Sequence, residues 1–266
     1  MPYQPLASVA GFVHVCGHRG HSVGAPENTI PALEAAAAHG ASVCEIDVVL
    51  TADDEIVVIH DEILDRTTDA RGRVADRRME ELRGLDAGAW LDPRFAGTRL
   101  PSLEEALAAA RRLDLGLLVE IKERQRPDAL IERLASILAR TGAVGDILVI
   151  SFDHPSLQRA QSRIPGLRTE LITHARHVDP AALARRAGAT SVAIEADMFH
   201  PDDAAALHHA GIAVRVTIPR PERIALRRGY GLDPLALVVP ALRAGLVDVL
   251  AGDDVRALRE LVDAAR

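Results

Sequence analysis

The residues most able to do chemistry come in short polar groups that close runs of apolar, β-type sequence: His18-Arg19-Gly20, Glu45-Ile46-Asp47, His60-Asp61, Glu120-Ile121-Lys122 and Ser151-Phe152-Asp153-His154. Glu45 and Asp47 are two residues apart on a predicted strand, so both side chains leave it on the same face. Glu120 has the same phase at the end of another strand. Bare carboxylates facing an apolar interior are costly, and a bound cation is the simplest compensation. Three converging carboxylates without a cysteine or histidine cluster suit a hard ion that prefers oxygen ligands, Mg²⁺ or Ca²⁺. A structural ion network with Arg19 and Lys122 is the competing arrangement. His18 and His60, brought to the same place, could serve as general acid and general base within one turnover. Arg19 and Lys122 would then face an oxyanion of spread charge, as in a phosphoryl transition state.

Residue usage sharpens this set. Of 31 basic residues Lys122 is the one lysine, and Asn28 is the one asparagine. A bias this strong points to codon pressure, and Lys and Arg differ enough in geometry and hydration that a surviving lysine marks a position with its own chemistry. His14, His39, His174, His177, His208 and His209 are expected to be ordinary core or surface residues, and His21 and His154 are ambiguous.

The elements that must position these groups alternate. Strand-like runs are expected at Val13–Gly17, Val43–Val48, Leu117–Ile121, Ile147–Ser151, Arg168–Ile172, Ser191–Glu195, Ile212–Thr217 and Val247–Ala251. Helical runs lie between them, several starting at proline and ending at glycine. The last connection is expected to hold a helix at about Pro234–Ala244, and the chain to finish on Asp254–Ala264. Such βα alternation predicts parallel pairing, and this strand count closes a (β/α)8 TIM barrel, with a doubly wound open sheet as the alternative. In a barrel all strand C-termini share one face, where active sites sit. Ile56–His60 follows the second strand too closely for a helix and is expected to fold back as an antiparallel arm. With the turn centred between Asp53 and Asp54, Asp47 would lie opposite His60. Residues 61–100 are too long for an ordinary connection and read as an insertion over the active face of a single domain. Trp90 is expected to pack this excursion on the barrel, with substrate contact as its other possible role.

The chain has 266 residues, 48% hydrophobic and 26% charged, with formal net charge −7. That balance disfavours a nucleic-acid partner or an anionic membrane. No apolar run approaches the ~20 residues of a membrane span, so no stable membrane insertion is expected. No basic-then-apolar leader is evident, and Cys16 and Cys44 read as buried small hydrophobes, so a cytoplasmic location is expected. Neither a G-x-x-x-x-G-K-[ST] loop nor a G-x-S-x-G elbow occurs.

Taken in order, His18-Arg19-Gly20, Ala25-Pro26-Glu27-Asn28-Thr29, Glu45-Ile46-Asp47-Val48, Val58-Ile59-His60-Asp61, Leu64-Asp65-Arg66-Thr67-Thr68, Asp86-Ala87-Gly88-Ala89-Trp90 and Glu120-Ile121-Lys122 resemble the glycerophosphodiester phosphodiesterase family. The resemblance spans about residues 13–155. It implies a TIM barrel with a small insertion after the second strand, and a divalent cation held at Glu45, Asp47 and Glu120. It also implies a His18/His60 acid–base pair, with Arg19 and Lys122 on the phosphate. The implied substrate is a small glycerophosphodiester, cleaved to glycerol 3-phosphate and an alcohol through attack of the glycerol 2-hydroxyl. Asn28 is expected to cap the first helix; Glu27, Asn28, Ser151 and Phe152 are further pocket candidates. The later W-T-V-N of many members is replaced by Val214-Arg215-Val216-Thr217-Ile218, and an unusual segment, Arg227–Leu246, follows. A lipid phosphodiesterase of phospholipase D or sphingomyelinase D type on the same barrel, and a non-catalytic phosphodiester-binding protein, are the competing readings.

Overall fold

The structure is a computed structural model and describes residues 3–266. Its strands are β1 (His14–His18), β2 (Val43–Leu50), β3 (Ile56–Val58), β4 (Gly116–Ile121), β5 (Ile147–Ser151), β6 (Thr169–Thr173), β7 (Ser191–Glu195), β8 (Ala213–Thr217) and β9 (Val249–Gly252). The helices are α1 (Ala7–Ala10), α2 (Ile30–Ala38), α3 (Met79–Leu82), α4 (Leu103–Arg112), α5 (Pro127–Thr141), α6 (His154–Arg163), α7 (Pro180–Ala187), α8 (Pro201–His209), α9 (Pro221–Gly229), α10 (Val238–Arg243) and α11 (Val255–Ala265). Of the nine strands, all but β3 run parallel in the order β1-β2-β4-β5-β6-β7-β8-β9, and β9 returns to β1. The result is a closed (β/α)8 barrel, not the open sheet.

Strand alternation divides the apolar residues into two sets. Cys16, Val43, Leu118, Leu148, Ile150, Ile172, Ala193, Val249 and Ala251 cluster inside the barrel. Their neighbours of opposite phase, among them Val15, Cys44, Ile46, Val119, Val149, Leu171, Val214 and Leu250, pack outward with the helices. Fully burying one such branched side chain contributes roughly 1.5–3 kcal/mol. Both cysteines are buried and free.

β3 does pair antiparallel to β2, but one residue out of the expected register. Val48 faces Val58 and Leu50 faces Ile56. The cause is the loop: Thr51 N–H bonds Glu55 O at 3.0 Å, closing an odd-numbered turn with Asp54 in the left-handed region (φ 57). Ile59, not His60, therefore donates to Asp47 O, at 3.0 Å.

Between β3 and α4 the chain makes its excursion, with short helical turns and α3. Leu64, Val74, Met79, Leu82, Ala87 and Leu100 pack it on Val49, Val57 and Ile59. Trp90 is not among them. It stays 38% exposed, and its Nε1–H bonds Ala87 O at 3.0 Å.

The connection from β8 to β9 holds two helices where one was expected. Pro219-Arg220-Pro221 reads as a breaker, yet Pro221 occupies the first turn of α9, where a missing N–H costs nothing. Among the described residues no helix is long and apolar enough to cross a membrane.

Candidate active site

The carboxylates converge as strand parity requires. β2 lies between β1 and β4, with His18 beside Glu45 and Glu120 beside Asp47. One oxygen each from Glu45, Asp47 and Glu120 lies within 4.8 Å of the other two, and all three residues are buried.

Two positive charges reach the cluster. Lys122 Nζ stands 2.6 Å from Glu120 Oε1 and 3.3 Å from Asp47 Oδ1. Arg19 Nε stands 3.3 Å from Asp47 Oδ2, and the Arg19 backbone N–H donates to Glu45 Oε2 at 3.0 Å. These pairs do not complete the cluster. Glu45 Oε1 and Asp47 Oδ1 remain buried with no hydrogen-bond partner. Three acids against two cations leave one negative charge unbalanced, and Glu45 is where it is least tolerated. Burial, then Asp47 and Glu120, push its carboxyl well above the usual range. Burial also opposes charge on Asp47, but Lys122, Arg19 and His60 outweigh it and hold that carboxyl below its ordinary value. Orphaned, crowded oxygens of this kind fit the donor set of a hard divalent ion.

Backbone strain concentrates here. Arg19 and Asn28 both take φ 60, in the left-handed region that costs a residue with a Cβ. Gly20 follows at φ 84, where an added Cβ would meet the Ala32 backbone at 2.6 Å. The turn is held by Asn28 N–H on Arg19 O at 3.1 Å. It delivers Asn28 to Asp47, not to the helix end: Nδ2 donates to Asp47 Oδ2 at 2.7 Å, and Oδ1 accepts from Asp47 N–H at 3.0 Å. The cap of α2 is Thr29. The amide that sequence reasoning placed at a cap clasps a candidate ligand, because a carboxamide can donate and accept at once.

Each histidine is backed by an aspartate. His18 Nδ1 lies 2.6 Å from Asp253 Oδ1, and His60 Nδ1 lies 2.6 Å from Asp61 Oδ1. A carboxylate there holds the proton on Nδ1 and leaves Nε2 for chemistry. His18 Nε2 is 4.0 Å from Glu45 Oε2. Each aspartate is in turn held by an arginine, Arg220 on Asp253 and Arg66 on Asp61. Burial would raise the Asp61 carboxyl, but the bonds from Arg66 and His60 lower it to about 2.

Glu27 sits between two guanidinium groups, accepting from Arg19 Nη1 at 2.7 Å and from both terminal nitrogens of Arg66. Ser151 is buried, and its Oγ accepts from Asp153 N–H at 3.0 Å and donates to Ile121 O at 3.5 Å. Phe152 is 40% exposed at the mouth, its ring 4.6 Å from that of His174. Trp90 lies in the excursion, bonded within it. A cavity of about 550 Å³ opens beside His18 and Asp253, lined further by Glu195, Thr217, Arg220 and Arg223. His21 and His154 take structural bonds, to Val255 N–H and Ile172 O.

Sequence reasoning gave no site role to Asp61, Arg66, Arg220 or Asp253. Asp61 adjoins His60 in the chain. Asp253 stands two residues beyond Ala251, so the parity that found Glu120 also points it to the barrel mouth. Arg66 lies five residues beyond Asp61, within the Leu64–Thr68 motif, whereas Arg220 meets Asp253 across 33 residues and leaves no local signal.

The glycerophosphoryl diester phosphodiesterase family pattern matches residues 18–237. The glycerophosphodiester phosphodiesterase of Caldanaerobacter subterraneus is 37% identical over 188 residues, 70% of this chain and 74% of that one. YhdW of Bacillus subtilis is 40% identical over 161 residues; the match covers 60% of this chain and 66% of YhdW. An Oleispira antarctica phosphodiesterase, solved in complex with the product sn-glycerol-3-phosphate, superposes with a TM-score of 0.80 at 24% identity, over 96% of this chain and 99% of that one. That likeness speaks to the fold; the match of the family pattern over most of the length speaks to descent, and the chain belongs to the glycerophosphoryl diester phosphodiesterase family.

Proposed function

We propose that the chain hydrolyses glycerophosphodiesters to glycerol 3-phosphate and an alcohol, with a divalent cation at Glu45, Asp47 and Glu120. The observation that carries this is the trio of buried carboxylates with unpartnered oxygens, set beside His18 and within reach of Lys122 and Arg19. When bound, Mg²⁺ or Ca²⁺ would neutralise these acids and polarise a phosphoryl oxygen.

The chain's own residues do the rest. Arg19 and Lys122 bind the non-bridging oxygens and stabilise the charge that spreads over them. The glycerol 2-hydroxyl attacks phosphorus, and its proton passes to Nε2 of one of His18 and His60. The bond to the departing alkoxide breaks, and the other imidazole supplies the proton that alkoxide needs. The cyclic phosphate then takes up water, with the two histidines exchanging roles, and opens to glycerol 3-phosphate. A neighbouring hydroxyl already in place makes the first step intramolecular. Asp61 and Asp253 keep each Nδ1 protonated so that Nε2 can act in both steps.

The test is release of sn-glycerol 3-phosphate from a panel of glycerophosphodiesters and lysophospholipids. EDTA is expected to abolish it and Mg²⁺ or Ca²⁺ to restore it. His60→Ala is expected to lower turnover by about 10²–10⁴-fold. Turnover indifferent to chelation removes the metal from the reading, and full activity in His60→Ala removes the acid–base pair.

A further inference from the structure

His21 is buried, stands three residues past His18, and has no part in the proposed reaction. Its backbone is fixed on both sides. Its N–H donates to Ala32 O at 3.0 Å, and its carbonyl accepts from the Gly24 and Ala25 N–H groups at 3.1 Å. The ring is enclosed as well. It lies 4.4 Å from the ring of His39, which ends α2, and a Cβ added at Gly24 would meet its Cδ2 at 2.8 Å. So held, its Nδ1 accepts from Val255 N–H at 3.2 Å, inside the protein.

Val255 opens α11, where a first-turn N–H finds no partner within the helix. The cap, Asp254, serves the Ala257 N–H at 3.1 Å, and the Val255 N–H goes to His21 instead. β9 ends at Gly252 and α11 begins at Val255, which leaves Asp253 and Asp254 between them. Both ends of this short loop are fastened to the turn that follows β1. Gly252 pairs with Gly17. Val255 is fully buried and reaches Gly17 so closely that a Cβ there would come within 3.1 Å of Val255 Cγ2. His21 is the polar half of that second fastening. Between the two, Asp253 meets His18 Nδ1 at 2.6 Å. The other hold on Asp253, Arg220, is a half-exposed side chain, and such pairs are weak constraints.

We infer that His21 is a positioning residue: by accepting the Val255 N–H it sets the loop that carries Asp253, and through Asp253 it keeps His18 Nε2 aimed for proton transfer. The inference deepens the acid–base reading of His18 and rests on it. Nδ1 accepts only while it carries no proton, so His21 holds its hydrogen on Nε2, the reverse of His18. Burial, then His39, keep the ring below its ordinary value of 6.5; Arg256 adds to this, and Asp254 opposes it without prevailing. The positive end of α11 favours the neutral ring too. Acid that protonates His21 therefore removes the acceptor and frees the loop.

The experiment compares two substitutions of one shape. His21→Asn keeps an acceptor, its Oδ1, where Nδ1 stood, and His21→Leu has the same branching with none. Turnover of glycerophosphocholine is expected to fall about tenfold in His21→Leu with KM little changed, and His21→Asn to recover most of it. Added to Asp253→Asn, His21→Leu is expected to cost nothing further, because it acts through that aspartate. Full turnover in His21→Leu overturns the inference, as does a loss that Asn and Leu share, or one that adds in full to that of Asp253→Asn. A damaging Asp253→Asn beside a silent His21→Leu removes the role of His21 alone; a silent Asp253→Asn removes the acid–base reading and that role together. Ring ¹⁵N spectra of the wild-type protein need no variant to fold. They are expected to show neutral His21 with hydrogen on Nε2 and a midpoint below that of a free imidazole. Hydrogen on Nδ1 of His21 overturns the inference.

Discussion

Glu170 and Asp248 lie as deep in the protein as Glu45 and Asp47, at 1% and 2% exposure against 1% and 0%, but their oxygens are spoken for. Glu170 Oε1 accepts from Arg215 Nε at 2.7 Å and Oε2 from Ser191 Oγ at 2.7 Å. Asp248 accepts from the Val214 and Ala7 N–H groups and stands 2.7 Å from His208 Nε2. In the other set, Glu45 Oε1 and Asp47 Oδ1 receive no hydrogen bond, and Asp47 Oδ1 has only the Lys122 ammonium at 3.3 Å. The same residue type, at the same depth, is closed in one place and open in the other. A buried charge whose partners are all supplied by the chain is part of the scaffold. One left with lone pairs directed at its fellows is a place prepared for a ligand. In β8, Arg215 reaches Glu170 inside the barrel, and burial of its guanidinium is offset by that carboxylate.

The largest effect that separates the two sets should come from the closed one. Arg215→Met leaves Glu170 buried with a hydroxyl as its remaining partner, and is expected to cost about 3–5 kcal/mol of unfolding free energy. The double variant Glu170→Leu/Arg215→Met removes both charges and should recover most of that loss. Urea titrations of the three proteins give the comparison directly. A single substitution that costs under about 1 kcal/mol would mean that the pair is not closed against solvent.

Next in size is the linkage between the sets and the chemistry. Asp253→Asn keeps the volume but weakens the hold on the His18 Nδ1 proton. Turnover of glycerophosphocholine is expected to fall about 10–100-fold, or about 1.4–2.7 kcal/mol, with KM little changed. Asp61→Asn should act alike through His60. Because a positioning role shows in the imidazole and not in substrate affinity, the pH–rate profile of each variant should shift while KM does not. A KM effect alone would make these aspartates substrate contacts.

What the sequence makes legible follows from how local each cause is. Glu45, Asp47 and Glu120 are readable because side-chain parity on a strand is a two-residue rule, and Lys122 because it stands alone among arginines. Helix ends marked by proline and glycine are readable for the same reason, as where α7 starts at Pro180 and stops before Gly188. Two features depend on distant parts of the chain. Asn28 clasps Asp47 because the backbone at Arg19 and Asn28 turns left-handed, and nothing in the residue types announces that. Asp253 meets His18 because β9 closes the barrel on β1, a contact across most of the sequence. The register of β3 turned on the parity of a five-residue loop, which Asp53-Asp54 leaves open. The helix α9 was missed because Pro219 and Pro221 mask its start.

The smallest effect is in the open set, and its sign is opposite to that of Arg215→Met. In the ion-free protein Glu45 is held protonated above its ordinary value of 4.5 by burial and by Asp47 and Glu120. Between that ordinary value and the raised one the folded state binds the proton that the unfolded chain has released. Stability therefore falls as pH rises through that window. Glu45→Gln removes the charge and keeps the shape. It should stabilise the ion-free protein at pH 7 to 8 by on the order of 1 kcal/mol, flatten the dependence above pH 4.5, and abolish the rise in Tm that Mg²⁺ or Ca²⁺ gives the wild type. Thermal melts from pH 5 to 8, with EDTA and with each ion, measure all three. If Glu45→Gln proves less stable than wild type without an ion, Glu45 is held by the scaffold after all, and the distinction between closed and open carboxylates fails where it matters most.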